Sequence, residues 1–297
     1  MKNFQNITLN NGATITHVGL GTANLENPAL SVYEGIKIGV RLIDTAPIYN
    51  NEKEVGQGIK RAIDEGLVKR EDLFIITKIW PTEEDSEEKI MKSLIALDLK
   101  YVDLYLIHWL VPAYDRNTRK FKKISMIKLW SEMETFVEKK LTKSIGVSNV
   151  TSQLLIELIN TSKILPVVNE IEMNPYLDQF ELKQILDLYN IKVIAYNSFV
   201  KGPYVKEESK YNIFDEEIII NLSKKYQKSK GQIILSWAIN QGMIVIPKAN
   251  SLERINENLN SQHILLSEDD IKEISKLNKN KRFCYKDDVH NKCNVFV

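Results

Sequence analysis

The sequence predicts an α/β chain closed into a single (β/α)8 barrel, and three observations carry that prediction. Short, almost wholly apolar runs of strand character alternate with runs of helical period along the whole chain, the pattern of parallel strands joined by crossover helices. Three of those runs end in a reactive side chain, Asp44, Lys78 and His108, roughly 30 to 35 residues apart, which suits a barrel of ~250 residues shared among eight strand–helix units. No linker, low-complexity tract or composition break divides the 297 residues, so one domain, 1–297, is expected.

Taken in order, Ile7-Thr8-Leu9 and Ala13-Thr14-Ile15 flank Asn10-Asn11-Gly12, and Asn-Gly between β-prone runs signals a hairpin. Val18 to Thr22 reads as the first barrel strand, and Asn27-Pro28 starts a helix. The strand Arg41 to Ile43 delivers Asp44, and Tyr49 follows in the loop before a helix from Glu52 to Asp64. Phe74 to Lys78 and Leu104 to His108 are the third and fourth strands, separated by a helix with Ile90, Leu94 and Leu97 on one face. The polar stretch Pro112 to Lys123 reads as a solvated loop. Beyond it, Ser144 to Val147, Val167 to Ile171, Lys192 to Tyr196 and Met243 to Ile246 complete the eight strands. Helices are expected over Ser152 to Asn160 and Gln179 to Tyr189, with two more between Asp215 and Gln241. The polar tail after Leu277 reads as a mobile terminus.

The totals narrow the function. Hydrophobic residues make up 43% of the chain, enough for a large core. With 40 basic against 39 acidic residues there is no global field to draw nucleic acid or an anionic membrane, so any anion must meet a local cluster. No apolar run approaches the ~18 residues of a membrane span, and the N-terminus lacks the apolar core of a signal peptide, so the expectation is a cytoplasmic protein. Cys284 and Cys293 both lie in the tail without a paired motif, which suggests neither a zinc site nor a disulfide framework. The four histidines, His17, His108, His263 and His290, form no metal-binding spacing, and no GxGxxG follows a strand.

Asp44, Tyr49, Lys78 and His108, each in its own signature stretch, resemble the catalytic tetrad of the aldo-keto reductase superfamily, in particular its aldose reductase-like and prostaglandin F synthase-like members. The likeness runs from about Ile7 to Asn280. It implies a TIM barrel whose N-terminal hairpin plugs the bottom, a loop and a C-terminal tail at the substrate mouth, and NADPH-dependent reduction of aldehydes or ketones to alcohols. It also implies a small-molecule carbonyl as the partner and, as in many relatives, a monomer. A redox-sensing, NADPH-binding regulatory protein of the same fold with slow turnover is the alternative. A Schiff-base aldolase using Lys78 is a third reading, against which the adjacent Asp44 speaks, because an acid keeps the amine protonated.

The four side chains suit carbonyl reduction. The reaction needs a proton at oxygen, and Tyr49 is the natural donor, but a free phenol has a pKa of ~10 and releases its proton reluctantly near neutrality. Lys78 is expected to favour the phenolate by charge attraction, with Asp44 holding Lys78 protonated. A neutral His108 can donate to the carbonyl oxygen and stabilise negative charge developing there.

Cofactor contacts are carried over from the resemblance. Ile145-Gly146-Val147-Ser148-Asn149 is similar to the stretch that binds the nicotinamide carboxamide, with Thr22 beside it and Tyr196 stacking on the ring. Asn197, Ser198 and Phe199 replace the usual Ser-Pro-Leu, and Glu170 stands where glutamine is usual, so Ser148 and Asn149 are expected to supply the donor that a carboxylate cannot. Lys248, Asn250, Ser251 and Arg254 resemble the grip on the 2′-phosphate of NADPH, with Glu257 and Asn258 on the adenine side and Ala249 replacing a serine. Ile48, Trp80, His108 and Trp109 are expected to face the substrate. Ala23 stands in place of a large aromatic and lowers one wall, and Leu110 replaces a common proline.

Overall fold

The computed structural model describes residues 6–80, 85–109, 114–115, 120–121, 125–201 and 211–284. The chain opens on the hairpin: β1 (Ile7–Thr8) pairs antiparallel with β2 (Thr14–Ile15). Gly12 turns it with φ +86°, a backbone that glycine adopts without a Cβ penalty. Strand and helix then alternate as β3 (Leu20–Gly21), α1 (Pro28–Lys37), β4 (Leu42–Asp44), α2 (Glu52–Asp64), β5 (Phe74–Ile79), α3 (Ser86–Leu97) and β6 (Val102–Ile107). The insertion carries β7 (Tyr114–Asp115) antiparallel to β8 (Lys120–Phe121). Next come α4 (Met126–Glu138), β9 (Thr142–Ser148), α5 (Ser152–Thr161), β10 (Val168–Glu172), α6 (Phe180–Leu188) and β11 (Lys192–Tyr196). The last elements are α7 (Glu217–Tyr226), α8 (Lys230–Ile239), β12 (Ile244–Val245), α9 (Leu252–Leu259) and α10 (Glu268–Ser275).

Eight strands run parallel in the order β3-β4-β5-β6-β9-β10-β11-β12, and the sheet closes on itself. Val18 forms a parallel bridge with Val245, the amide of Gly19 donates to the carbonyl of Val245 at 2.9 Å, and the amide of Val245 donates to that of His17 at 2.8 Å. Closure leaves no unpaired edge.

Side chains alternate across each strand with period two. Leu42, Ile76, Leu104, Leu106, Val168, Ile194 and Ile244 point inward and pack with Leu9 and Ile15 of the hairpin. Ile43, Ile75, Tyr105, Ile107, Val147 and Ile171 point outward into the larger cluster under the helices. The hairpin is fastened to the starts of two strands, because Asn10 Nδ2 donates to the carbonyl of Pro166 at 2.9 Å and Asn11 Nδ2 to Ser144 Oγ at 2.8 Å. It therefore stops the N-terminal end of the barrel.

The structure differs from the sequence reading in three places. Helix α4 was not anticipated; Ser125 caps it by accepting from the amide of Lys128, and Leu129, Met133 and Phe136 are its buried face. Helix α10 is likewise additional, capped by Ser267. The stretch read as a plain loop, 112–123, contains β7 and β8, and its remaining residues lie outside the described ones. Cys293 and the tail beyond Cys284 are also outside them. Among the described residues, no helix is long and apolar enough to cross a membrane.

Candidate active site

Period two, which puts Leu42, Ile76 and Leu106 inside the barrel, puts Asp44, Lys78 and His108 inside as well, each two residues further on at the C-terminal end. Tyr49 arrives differently. A 3-10 turn over Pro47–Tyr49 ends on Asn50 with φ +54°, a left-handed conformation that asparagine tolerates. Lys78 then lies at the centre: its Nζ donates to Asp44 Oδ2 at 2.5 Å, to the carbonyl of Thr45 at 3.3 Å and to the Tyr49 hydroxyl at 3.4 Å. Glu170 Oε1 stands 3.3 Å from the same nitrogen. The His108 ring meets Tyr49 edge-on with centroids 5.8 Å apart and meets Trp80 at 5.3 Å. The four residues predicted from separate stretches thus converge on one rim.

Burial governs their protonation. It would lower Lys78, which is wholly enclosed, but Asp44 and Glu170 more than offset this and hold its ammonium well above the ordinary lysine range. Burial raises Asp44 and Glu170, and Lys78 opposes the rise in both. Tyr49 differs from expectation. Lys78 does pull the phenol down, yet desolvation pushes it further up, so its net shift is upward. The physical reason is the depth of the phenol, and the acidic neighbours Asp44 and Glu170 add to the rise.

Among the expected cofactor residues, several are held by the protein itself. The Thr22 hydroxyl donates to the carbonyl of Asp44 at 2.9 Å. Ser148 Oγ donates to the carbonyl of Glu170 at 2.8 Å, and Asn149 Nδ2 donates to the carbonyl of His108 at 3.0 Å and to Ser148 Oγ at 2.9 Å. The donors expected to serve a carboxamide are therefore engaged within the protein. Asn149 Oδ1 accepts from the Tyr196 hydroxyl at 2.6 Å and fixes that ring. By contrast, Glu170 Oε2 and Ser198 Oγ are buried without a partner. Buried polar atoms are normally satisfied, and two orphans among residues expected to meet the cofactor fit a polar ligand there.

Lys248, Asn250, Ser251 and Arg254 are exposed around the start of α9, where Ser251 caps the helix by accepting from the amide of Arg254. Glu257 is half-buried and Asn258 buried. Asn250 has a partner the sequence did not suggest: its Nδ2 donates to Glu26 Oε1 at 2.8 Å. Phe199 packs against Phe214 at 5.6 Å, and Asn197, with φ +53°, begins the segment after β11. On the substrate side Ile48 is 44% exposed and Trp80 half-buried, whereas Trp109 is buried at 7%.

One residue beside the site was missed. Glu172 follows Glu170 by two positions, so the same parity turns it inward, and that was the signal available. It is fully buried at the end of β10, and its carboxylate accepts from the amides of Phe283 and Cys284 and from Asn197 Nδ2 at 2.7 Å. The Phe283 ring then packs against Tyr211 and Tyr176, with centroids 5.4 and 6.2 Å away. A buried acid thus pins the tail beside the site. Burial also pushes the Cys284 thiol well up, which makes it a poor nucleophile.

The profile of the Aldo/keto reductase family matches residues 18–279. The NAD(P)H-dependent D-xylose reductase of Pyricularia oryzae is 39% identical over 93% of this chain and 93% of its own. That of Pachysolen tannophilus is 37% identical over 94% and 95%. Among solved structures, a Bombyx mori aldo-keto reductase in complex with NADP superposes with a TM-score of 0.87 at 34% identity, covering 96% of each chain. The aldose reductase from Schistosoma japonicum superposes with a TM-score of 0.88 at 27% identity, covering 97% of each. With a match of that extent, and with Asp44, Tyr49, Lys78 and His108 gathered at one barrel mouth, the chain belongs to the aldo/keto reductase family.

Proposed function

We propose that the protein is an NADPH-dependent reductase that converts aldehydes or ketones to alcohols, with Tyr49 as proton donor. The observation that supports it most is the placement of the Tyr49 hydroxyl 3.4 Å from a lysine that is itself bound to a buried aspartate, beside a histidine at the open end of the barrel. The reduced nicotinamide supplies the hydride. The chain supplies the rest.

A carbonyl oxygen seated between Tyr49 and His108 meets two donors, the phenol and, in the neutral ring, one imidazole N–H. As negative charge grows on that oxygen, the Tyr49 proton moves to it, and the Lys78 ammonium stabilises the phenolate left behind. Asp44 keeps Lys78 charged for that role. Because burial makes Tyr49 a weak acid in the resting site, proton transfer is tied to the moment when the oxygen becomes basic. Water is thereby a poor competitor for the proton.

NADPH is preferred over NADH in this reading, since Lys248 and Arg254 are exposed cations at a helix start, where a 2′-phosphate is well received. Glu170 Oε2 and Ser198 Oγ would face the nicotinamide end, and Tyr196, held by Asn149, would stack on its ring. Because the relatives are named D-xylose reductases, D-xylose is the first substrate to try. The test is NADPH and NADH oxidation followed in parallel with D-xylose and a panel of other aldehydes and ketones. Turnover with NADPH supports the reading; no turnover with any carbonyl and either cofactor overturns it.

A further inference from the structure

At the floor of the site the buried acids outnumber the buried cation. Asp44 and Glu170 both face Lys78, at 2.5 and 3.3 Å, and none of the three side chains is more than 4% exposed. With both carboxyls ionised, the cluster would seal a net negative charge away from water, and one retained proton removes that cost. Asp44 has the shorter contact with the ammonium and is the better stabilised anion. Glu170 is left as the acid that keeps the proton, and its carboxyl is hydrogen-bonded to that of Asp44. Burial first, then the Asp44 charge, push Glu170 up to about 8.

The second oxygen supplies an independent observation. Glu170 Oε2 is buried and has no hydrogen-bond partner, although the serine that ends β9 and the asparagine after it are both engaged. It is an acceptor in want of a donor, and it belongs to the same carboxyl that borders Lys78.

We infer that Glu170 is a positioning residue that rests as the neutral acid, donating its hydroxyl to Asp44 and offering its free oxygen to the amino group of a nicotinamide carboxamide. Loss of its proton to solvent leaves the carboxylate, and the floor of the site changes from neutral to negative. Besides Asp44 on β4 and Lys78 on β5, the groups facing it are Tyr49 on the 3-10 turn and Tyr196 on β11, and a charge on Glu170 raises both phenols. Tyr49 becomes the weaker proton donor. The site thus carries its own brake at alkaline pH, applied through a residue that touches no reacting atom. The carboxamide contact rests on the reductase reading above; the resting protonation does not.

The experiment therefore has two arms. In the cofactor-free protein, infrared difference spectra taken on either side of about pH 8 are expected to show a carboxylic-acid C=O stretch that disappears as pH rises and is missing in Glu170→Gln. A wild-type spectrum without such a band, or with one that persists in Glu170→Gln, overturns the inference. In the second arm, the rate of carbonyl reduction by the wild-type protein is expected to fall as pH passes about 8, and in Glu170→Gln that fall moves up by about one pH unit or more. Identical profiles overturn the inference whatever the folding stability of the variant. A titrating band in a protein without turnover would support the protonation and count against the reductase reading, whereas turnover without the band would do the reverse.

Discussion

Glu172 Oε2 accepts the backbone N–H of Cys284 at 2.9 Å, a bond between the end of a barrel strand and a residue 112 positions later in the tail. Glu172→Ala would leave the amides of Phe283 and Cys284 without their acceptor, at a cost of about 1–3 kcal/mol for a buried unsatisfied group. Limited proteolysis should then cut near residues 279–284 faster than in the wild type, with KM raised more than kcat is lowered. Equal protection of the tail in both proteins would show that the rings of Tyr176 and Tyr211 hold Phe283 without help.

Tyr49→Phe removes one hydroxyl and leaves the Lys78–Asp44 pair in place. Loss of a general acid is expected to lower kcat by roughly 10²- to 10⁴-fold. NADPH affinity, read by quenching of tryptophan fluorescence, should stay within about twofold of the wild type. A Tyr49→Phe protein retaining a tenth or more of the rate would end the assignment of Tyr49 as donor.

Lys78→Met leaves two acids buried with no cation between them. Breaking a buried pair in this way costs about 3–5 kcal/mol. The denaturant midpoint should fall accordingly at neutral pH and recover part of the loss in acid, where Asp44 as well as Glu170 can be protonated. A loss independent of pH would mean that lost packing, not lost charge, sets the cost.

Glu170 also ties stability to pH. Its carboxyl is raised from the ordinary glutamate value to about 8, so between roughly pH 4.5 and 8 the unfolded chain releases a proton that the folded protein keeps. Folding stability therefore declines through that window and levels off above it. Glu170→Gln has no such proton, so its stability relative to the wild type should rise by up to about 1.4 kcal/mol per pH unit across the window. Parallel melting curves for the two proteins from acid to alkaline pH check the sign as well as the size.

Arg254→Ala should weaken NADPH and spare NADH. A charge-assisted hydrogen bond contributes about 1.5–3 kcal/mol, so the Kd for NADPH is expected to rise about 10- to 100-fold. Calorimetric titration with each cofactor measures both. An equal loss for the two would place Arg254 away from the 2′-phosphate.

The sequence was most informative where chemistry and periodicity coincide. Asp44, Lys78 and His108 each end an apolar run, and a strand of period two can only send them to the face already taken by Leu42, Ile76 and Leu106. The structure gathers them there with Tyr49. Parity was equally able to expose Glu172, yet it fell one residue beyond the strand read as Val167 to Ile171, and its partners lie in a tail with no periodicity of its own. Helix α4 escaped for a related reason: it follows directly on a polar insertion, with no glycine or proline to mark the change. The balance of forces on Tyr49 was beyond sequence altogether. A lysine lowers a phenol and burial raises it, and which of the two wins depends on depth and on ångström distances.

The hairpin at the start of the chain has a consequence for traffic. With Asn10 and Asn11 stitched to Pro166 and Ser144, the barrel is a vessel corked at its base, so whatever reacts beside Lys78 comes and goes through one doorway. Arrivals and departures then share one threshold, and a change at its rim touches both alike.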